Sequence, residues 1–246
     1  MAQKQHSVRL FIDADLTKDG GVVLDKSQTH YVGTVMRQEA GDSIILFNGR
    51  DGEWLGHIQE VKKSHALVHS TEQLRPQTSG PDIQLLFAPV KKTQNAMIVQ
   101  KATELGVSQI IPVQTLRTNS DKIRKDKMLL QVIEAAEQSE RLSIPEITDP
   151  LKLNAALDQL EEDRILIFCH ERLAEGAALV VLEKLTEHKK FAVLIGPEGG
   201  FSDDERTKIL SCDQAHAISL GPRILRAETA VISALSLLQS VCGDWK

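Results

Sequence analysis

The chain of 246 residues has a net charge of -5, with 41% hydrophobic and 26% charged residues. A globular protein of this length and composition can bury a core without disulfides, and the acidic balance argues against a protein that coats nucleic acid non-specifically. Residues 1–13 lack the apolar stretch of a signal peptide, no uncharged apolar run reaches ~18 residues, and the three cysteines form no CxxC pair. We therefore expect a cytoplasmic protein that does not span a membrane.

Residues 1–72 are expected to form a small β-barrel with one helix. Only residues 27–37 look helical, and Asn48-Gly49 is a strong turn pair. Five β-rich runs are separated by turns, at residues 8–12, 22–24, 43–47, 53–61 and 66–71. Residues 73–82 are rich in Pro, Ser, Gly and Thr, and we expect them to be a linker.

Residues 83–246 alternate between apolar strands and helices. Strands are predicted at residues 83–88, 107–113, 164–169, 191–195 and 215–220. Helices are predicted at residues 93–105, 123–141, 151–160, 176–185, 202–210 and 227–241. The pattern indicates a parallel sheet covered on both faces, with ligands beyond the carboxyl ends of its strands. The loops after Cys169, Ile195 and Leu220 are therefore where we expect the chemistry. The apolar stripe on the last helix could serve this core or a dimer.

The loop after Ile195 reads Gly-Pro-Glu-Gly-Gly-Phe over residues 196–201. Its glycines let the backbone approach a ligand closely and expose N–H groups. The spacing is neither GxGxxG nor that of a P-loop, which makes a Rossmann-type nucleotide-binding enzyme a poor alternative. Ser202 and Glu205 are predicted to form a helix capping box. Glu198 is either functional or simply a carboxylate that is favoured near a helix N-terminus.

The loop after Leu220 reads Gly-Pro-Arg-Ile-Leu-Arg over residues 221–226 and leads into the last helix. Arg223 and Arg226 could hold anions or electron-rich carbonyls there, or could form surface ion pairs, for example with Glu228. An acid such as Glu228 is common in the first turn of a helix because it interacts well with the helix dipole. Neither this loop nor the glycine-rich one is decisive by itself.

Taken together, the segments GPEGGF and LGPRILRAETA resemble the 16S rRNA uracil-1498 N3-methyltransferase family, the RsmE family of knotted SPOUT methyltransferases. The resemblance covers essentially the whole chain. It extends to HYVGTVMR at residues 30–37, to residues 41–49, to KATELGVSQIIP at 101–112, to EAAEQS at 134–139 and to IPE at 144–146. It departs from the family pattern at residues 139–143, where the family more often has a glycine before arginine. The resemblance implies a PUA-like barrel, an α/β domain that ends in a trefoil knot, which is a rare topology, and a homodimer.

The resemblance also implies that three loops hold S-adenosylmethionine. The residues carried over as cofactor-binding are His170, Ile195, Gly196, Pro197, Gly199, Gly200, Leu220, Gly221, Ile224 and Leu225. The sulfonium charge already activates the methyl group, so no metal is needed, and the sequence has no HExxH motif or clustered Cys/His ligands. Uracil N3 must lose its proton, whose pKa is ~10. A general base, or a cation that stabilises the uracil anion, would assist this loss. Arg226 is the candidate cation, and Glu198 or Glu228 the candidate base.

The expected substrate is 16S rRNA in an assembled or partly assembled small ribosomal subunit. Because N3 lies on the Watson–Crick edge, the target uridine must be unpaired when it is methylated. Candidate RNA contacts are Arg9, Arg37, Lys91, Lys92, Arg117, Arg124 and Arg223. Two alternatives stay open at this point: a knotted methyltransferase acting on another RNA, such as a ribose 2′-hydroxyl of tRNA, or a non-catalytic ribosome-assembly factor that only binds RNA.

Overall fold

The computed structural model describes residues 8–119, 123–171, 173 and 176–245. Contacts divide the chain into two units. Unit 1 comprises residues 1–79 and 136–144, and unit 2 comprises residues 80–135 and 145–246. Contacts thus group the segment 136–144 with the N-terminal unit, whereas the sequence pattern predicts it within the domain at residues 83–246. Within the described ranges, no helix combines the length and the apolar character needed to cross a membrane.

Within its described residues, unit 1 contains five strands and one short helix of its own. The strands are β1 (Arg9–Phe11), β2 (Gly20–Leu24), β3 (Ser43–Phe47), β4 (Glu53–Val61) and β5 (Ala66–Arg75). The helix α1 (Lys26–His30) continues into a π-helical turn at Tyr31–Val35. The sheet order is β1-β3-β4-β5-β2, with β1 and β3 parallel and the other pairs antiparallel. All five predicted strands are confirmed, but β5 is longer than predicted, so residues 73–75 lie in a strand and not in a linker.

The core of unit 1 follows from the period of two along its strands. In β2, Val22 and Leu24 are buried whereas Val23 between them is 65% exposed, as a strand with one face on a core requires.

The helix α1 begins with a capping box in which the Asp25 side chain accepts from the Gln28 N–H and the Gln28 side chain accepts from the Asp25 N–H. Such reciprocal caps satisfy two donors that a helix start otherwise leaves unpaired.

Unit 2 contains seven strands and six helices within its described residues. The strands are β6 (Asp82–Phe87), β7 (Gln109–Gln114), β8 (Glu146–Ile147), β9 (Leu151–Lys152), β10 (Arg164–Cys169), β11 (Lys190–Ile195) and β12 (Ala215–Ile218). The helices are α2 (Lys92–Glu104), α3 (Lys125–Gln138, whose last turn falls in unit 1), α4 (Leu153–Asp158), α5 (Ala178–Leu182, followed by a 3₁₀ turn at Glu183–Leu185), α6 (Asp203–Leu210) and α7 (Ala227–Val241). The sheet order is β12-β10-β11-β6-β7-β8, β9 pairs with β7, and every pairing is parallel.

Every residue of β10 is buried, which is the pattern of a central parallel strand covered on both faces. The apolar stripe of α7 is buried within the single chain at Val231, Ala234, Leu235 and Leu238, so it serves the core of its own unit. The predicted parallel α/β sheet is thereby confirmed. The two-residue strands β8 and β9 were not predicted, because so short a segment has no readable period. The trefoil knot stays a prediction, since strand order alone does not define how the chain threads.

Candidate functional site

Three neighbouring strands of unit 2 bring their carboxyl ends to one edge of the sheet. In the order β12, β10, β11 they are adjacent and parallel, with Cys169 level with Ile218 and Phe168 level with Leu194. The loops that follow these strands therefore leave the sheet side by side. This is the arrangement that the sequence predicted, and it is where ligands bind in open parallel sheets.

The loops after β10 and β12 form a cleft. It is lined by Cys169, His170, Glu171, Leu220, Gly221, Arg223, Leu225 and Ala230. Leu220 and Leu225 are half-buried, which leaves apolar surface for a flat ring to pack on. The His170 ring lies edge-on to the Phe168 ring with centroids 5.2 Å apart, and the His170 N–H donates to the Ile218 carbonyl at 3.0 Å. The cleft thus contains four of the predicted cofactor-binding residues, His170 from the loop after β10 and Leu220, Gly221 and Leu225 from the loop after β12.

Two other predicted cofactor residues lie elsewhere. The Ile195 side chain is buried in the sheet, and its carbonyl accepts the Ala88 N–H at 2.9 Å. Ile224 is 74% exposed and is absent from the described cleft lining. Sequence reasoning could not separate these two positions from their neighbours, because the side to which each side chain points is a tertiary property.

The glycine loop (residues 196–200) follows β11 and turns back at once. The Gly200 N–H donates to the Pro197 carbonyl at 2.8 Å, and Gly200 has a φ of +66°, a conformation that side chains disfavour. At Gly196 the reason for glycine is space, since an added Cβ would lie 2.6 Å from the buried Phe201 ring. Pro197 is buried. Local packing therefore holds this loop tight against the sheet.

Arg226 occupies the N-cap of α7 and makes no side-chain cap hydrogen bond. A cation is disfavoured at this end of a helix, where the dipole is positive. Its side chain is exposed, and no described residue forms an ion pair with it, so the alternative of a surface pair with Glu228 is not seen. Glu228 lies half-buried in the first turn of α7, and Glu198 is exposed in the glycine loop.

Cys169 is not a candidate nucleophile, although it lines the cleft. Burial raises the pKa of its thiol to about 12, so the group stays protonated at neutral pH. It therefore contributes an apolar wall. In the described ranges, no group of three or more His, Cys, Asp or Glu side chains is arranged to hold a metal ion.

The expectation that Arg9 contacts RNA is corrected by the structure. Only 7% of its side chain is exposed, and Nε donates to Glu53 Oε2 at 2.8 Å. Its terminal nitrogens donate to the carbonyls of Ala136 and Arg141, and its guanidinium lies 3.7 Å from the Phe47 ring centroid. A guanidinium buried with its donors engaged in this way is structural, and a phosphate cannot reach it.

Arg117 and Arg124 were also expected to contact RNA. Arg117 instead donates to the Gly199 carbonyl at 2.7 Å, beside the glycine loop. Arg124 is exposed but forms a bidentate pair with Asp126, with distances of 2.9 and 2.6 Å. The neighbouring Asp121 and Lys122 lie outside the described residues.

The remaining expected RNA contacts are on the surface. Arg37 is exposed and has a φ of +55° just after the π-helical turn. Lys91 is exposed at the N-cap of α2, and Arg223 is exposed on the wall of the cleft. The side chain of Lys92 lies outside the described part of the chain. These positions are compatible with the predicted role, which stays a prediction.

A second cleft lies in unit 1, and the sequence did not single it out. This basic cleft is lined by Lys26, Ser27, Thr29, His30, Gly33, Thr34, Val61, Lys62 and Lys63. An added Cβ at Gly33 would come within 2.9 Å of Val61, so the glycine allows the π-helical turn to approach the end of β4. The adjacent pair Lys62-Lys63 was visible in the sequence. The sequence could not show that this pair and Lys26 line the same cleft, because the two segments come together only in the folded unit.

Comparisons with known proteins agree with this architecture. Residues 78–239 match the family described as an RNA methyltransferase domain, and residues 24–69 match an RNA methyltransferase PUA domain. The N-terminal unit thus corresponds to the expected PUA-like barrel, and the C-terminal unit to the methyltransferase domain.

Relatives match over nearly the whole chain. The Rickettsia conorii ribosomal RNA small subunit methyltransferase E is 32% identical over 240 residues, which cover 96% of this chain and 98% of that protein. A crystal structure of the Neisseria gonorrhoeae ribosomal RNA small subunit methyltransferase E bound to S-adenosyl methionine has a TM-score of 0.86 at 25% identity, covering 98% of this chain and 100% of that one. A Legionella pneumophila methyltransferase in complex with SAM has a TM-score of 0.84 at 32% identity, covering 96% and 98%.

Proposed function

The chain belongs to the ribosomal RNA small subunit methyltransferase E family, and we propose that it methylates N3 of uridine 1498 in 16S rRNA of the small ribosomal subunit. It is an S-adenosylmethionine-dependent rRNA methyltransferase. We further propose that it acts in the cytoplasm as a homodimer. The observation that carries the proposal is the edge of unit 2 where the two loops of the cleft and the glycine loop leave neighbouring strands, with Arg226 directly after the cleft residue Leu225 in the chain.

The residues at this edge fit S-adenosylmethionine. Leu220 and Leu225 offer apolar surface to the adenine ring, and the backbone of the glycine loop, which follows the neighbouring strand β11, can supply polar groups. Gly221 has a φ of +103°, and a Cβ added there would meet no atom within 4 Å, so this turn borders open space. The bound cofactor supplies an electrophilic methyl group, which requires no metal.

The protein's part in the chemistry is to make uracil N3 nucleophilic and to orient it. Loss of the N3 proton, with its pKa near ~10, places negative charge on the uracil carbonyl oxygens. Arg226 can stabilise that charge because its guanidinium is unpaired among the described residues. Glu198 or Glu228 is the proposed base that accepts the proton. Holding N3 in line with the methyl group supplies much of the remaining acceleration.

RNA is held by exposed cations on the wall of the cleft and elsewhere on the surface. Lys91 and Arg223 in unit 2 can contact phosphates, and so can Arg37 in unit 1, because all three side chains are exposed. We add the basic cleft of unit 1 to these contacts. Lys26 and Lys63 are its exposed cations for which the structure gives no ion pair, whereas Lys62 lies 2.7 Å from Glu60.

The decisive experiment measures the product. Purified protein, labelled S-adenosylmethionine and small subunits from cells that lack the gene are expected to yield a methylated uridine at position 1498. Nucleoside mass spectrometry then distinguishes a methyl on the base from one on the ribose. A ribose methyl or a methyl in tRNA would support the alternative of a knotted methyltransferase that acts on another RNA target. Binding of RNA without any methyl transfer would support the assembly-factor alternative.

The basic cleft gives a separate prediction. The double variant Lys26→Gln/Lys63→Gln is expected to weaken RNA binding roughly 10-fold, because two phosphate contacts are lost. The slope of log affinity against log salt should become shallower by ~1–2. The matched control is Lys18→Gln/Lys189→Gln, which removes two exposed lysines outside the cleft lining. If both double variants shift the slope equally, only net charge matters and the cleft has no specific role.

A further inference from the structure

The loop that follows β7 is a preformed turn. The Thr115 N–H donates to Thr118 Oγ1 at 2.9 Å, and the Thr118 N–H donates back to the Thr115 carbonyl at 3.2 Å. This β7 loop (residues 115–119) has no role in the site described so far. Its fixed shape directs the Leu116 N–H and the Arg117 side chain outward from the turn.

Arg117 lies against the middle of the glycine loop. Its terminal nitrogen donates to the Gly199 carbonyl at 2.7 Å. A Cβ added at Gly199 would lie 3.3 Å from Arg117 Cβ and 3.4 Å from its Cδ, so the aliphatic stem covers this glycine. Gly199 does not have a positive φ. The room taken by Arg117, and not backbone strain, is therefore the reason for glycine at this position.

Glu205 ties the other end of the glycine loop to the same turn. One carboxylate oxygen accepts the Ser202 N–H at 2.9 Å, which completes the capping box of α6. The other oxygen accepts the Leu116 N–H at 2.7 Å. The capping box by itself accounts for only one of these two bonds, since an ordinary cap does not use the second oxygen.

We propose that Arg117 and Glu205 are positioning residues that clasp the β7 loop onto the glycine loop and hold it in its cofactor-binding shape. A segment with three glycines loses much conformational freedom when it is ordered. The clasp keeps that segment ordered before the ligand arrives, which lowers the cost of binding. The inference rests on the proposed function, because it assigns the glycine loop to the cofactor.

The test compares cofactor and RNA binding in the full-length protein. In Arg117→Ala, the Kd and KM for S-adenosylmethionine are expected to rise roughly 10-fold, with kcat at saturating cofactor within about 2-fold. RNA affinity should not change. Arg117→Lys keeps the stem and one donor, so it should restore most of the cofactor affinity. Glu205→Gln should also weaken cofactor binding, and the two substitutions should be non-additive because they release the same turn.

Arg124→Ala is the matched control, since Arg124 lies in the same chain segment and pairs with Asp126 instead. It should leave cofactor affinity unchanged. An Arg117→Ala variant that binds RNA more weakly and the cofactor normally would overturn the proposal and return Arg117 to the RNA surface. Isothermal titration with S-adenosylmethionine alone measures the effect of the clasp on the cofactor Kd without any turnover. If the protein proved to methylate a different nucleotide, the proposed function would fail, but this measurement of cofactor binding would still test the clasp.

Discussion

The Arg226→Ala variant is expected to lose methyl transfer by roughly 10³-fold while it keeps its fold and its affinity for S-adenosylmethionine. The reason is that Arg226 is proposed to stabilise charge that develops on the uracil only as N3 loses its proton. An interaction of this kind acts on the transition state, so its loss should lower kcat more than it raises KM. The measurement is single-turnover transfer from labelled cofactor to small subunits, together with calorimetry for cofactor binding.

Two further variants make this prediction specific. Lys152 is also a cation at a helix N-cap without a side-chain cap bond, at the start of α4, and Lys152→Ala should retain full activity. Arg226→Lys keeps the charge but loses the planar fork, so it should recover only part of the rate. Because a cation is disfavoured at a helix N-terminus, Arg226→Ala should not lower the melting temperature. Turnover at the wild-type rate in Arg226→Ala would remove this residue from the mechanism.

The Glu53→Ala variant is expected to destabilise the protein by about 3–5 kcal/mol. Only 8% of the Glu53 side chain is exposed, and it receives hydrogen bonds from Arg9 at 2.8 Å and from Arg75 at 2.9 Å. Removing the carboxylate leaves the buried Arg9 guanidinium without its counter-ion. Urea unfolding measures the effect. The control is Glu60→Ala, because Glu60 is 40% exposed and its solvent-screened pair with Lys62 should contribute little to stability.

The same cluster predicts how stability depends on pH. Burial alone would raise the pKa of Glu53, but the hydrogen bonds from Arg75 and Arg9 outweigh it and hold the pKa below its ordinary value of 4.5. A depressed carboxyl pKa stabilises the folded state above pH 4.5, and this contribution is lost as pH falls through the lower folded value. Glu53→Gln should therefore lose less stability than the wild type on acidification. Parallel pH profiles for the two proteins would contradict the assignment.

Local patterns were sufficient to predict most elements and the edge that carries the site. Strands such as β3, β4 and β10 and the helix α7 have the predicted boundaries, because each carries a hydrophobic period over its whole length. The capping box at Ser202 and Glu205 was also predicted, since it depends on residues three positions apart. The strand-loop-helix order then placed the glycine loop and Arg226 at one end of a parallel sheet.

Amino-acid sequence by itself therefore determined the elements, the parallel sheet and the two loops of the candidate site, because these depend on neighbours within a few positions. Only the tertiary structure decided what each polar side chain contacts. Arg9 is buried because Glu53, 44 positions away, and the Ala136 carbonyl, 127 positions away, satisfy its donors. Arg117 binds the carbonyl of Gly199, 82 positions away, and Glu205 binds the N–H of Leu116, 89 positions away. Burying an unpaired charge costs several kcal/mol, so the role of a buried charged side chain depends on the partner that it finds. Partners that are so distant in the chain leave no local pattern in the sequence.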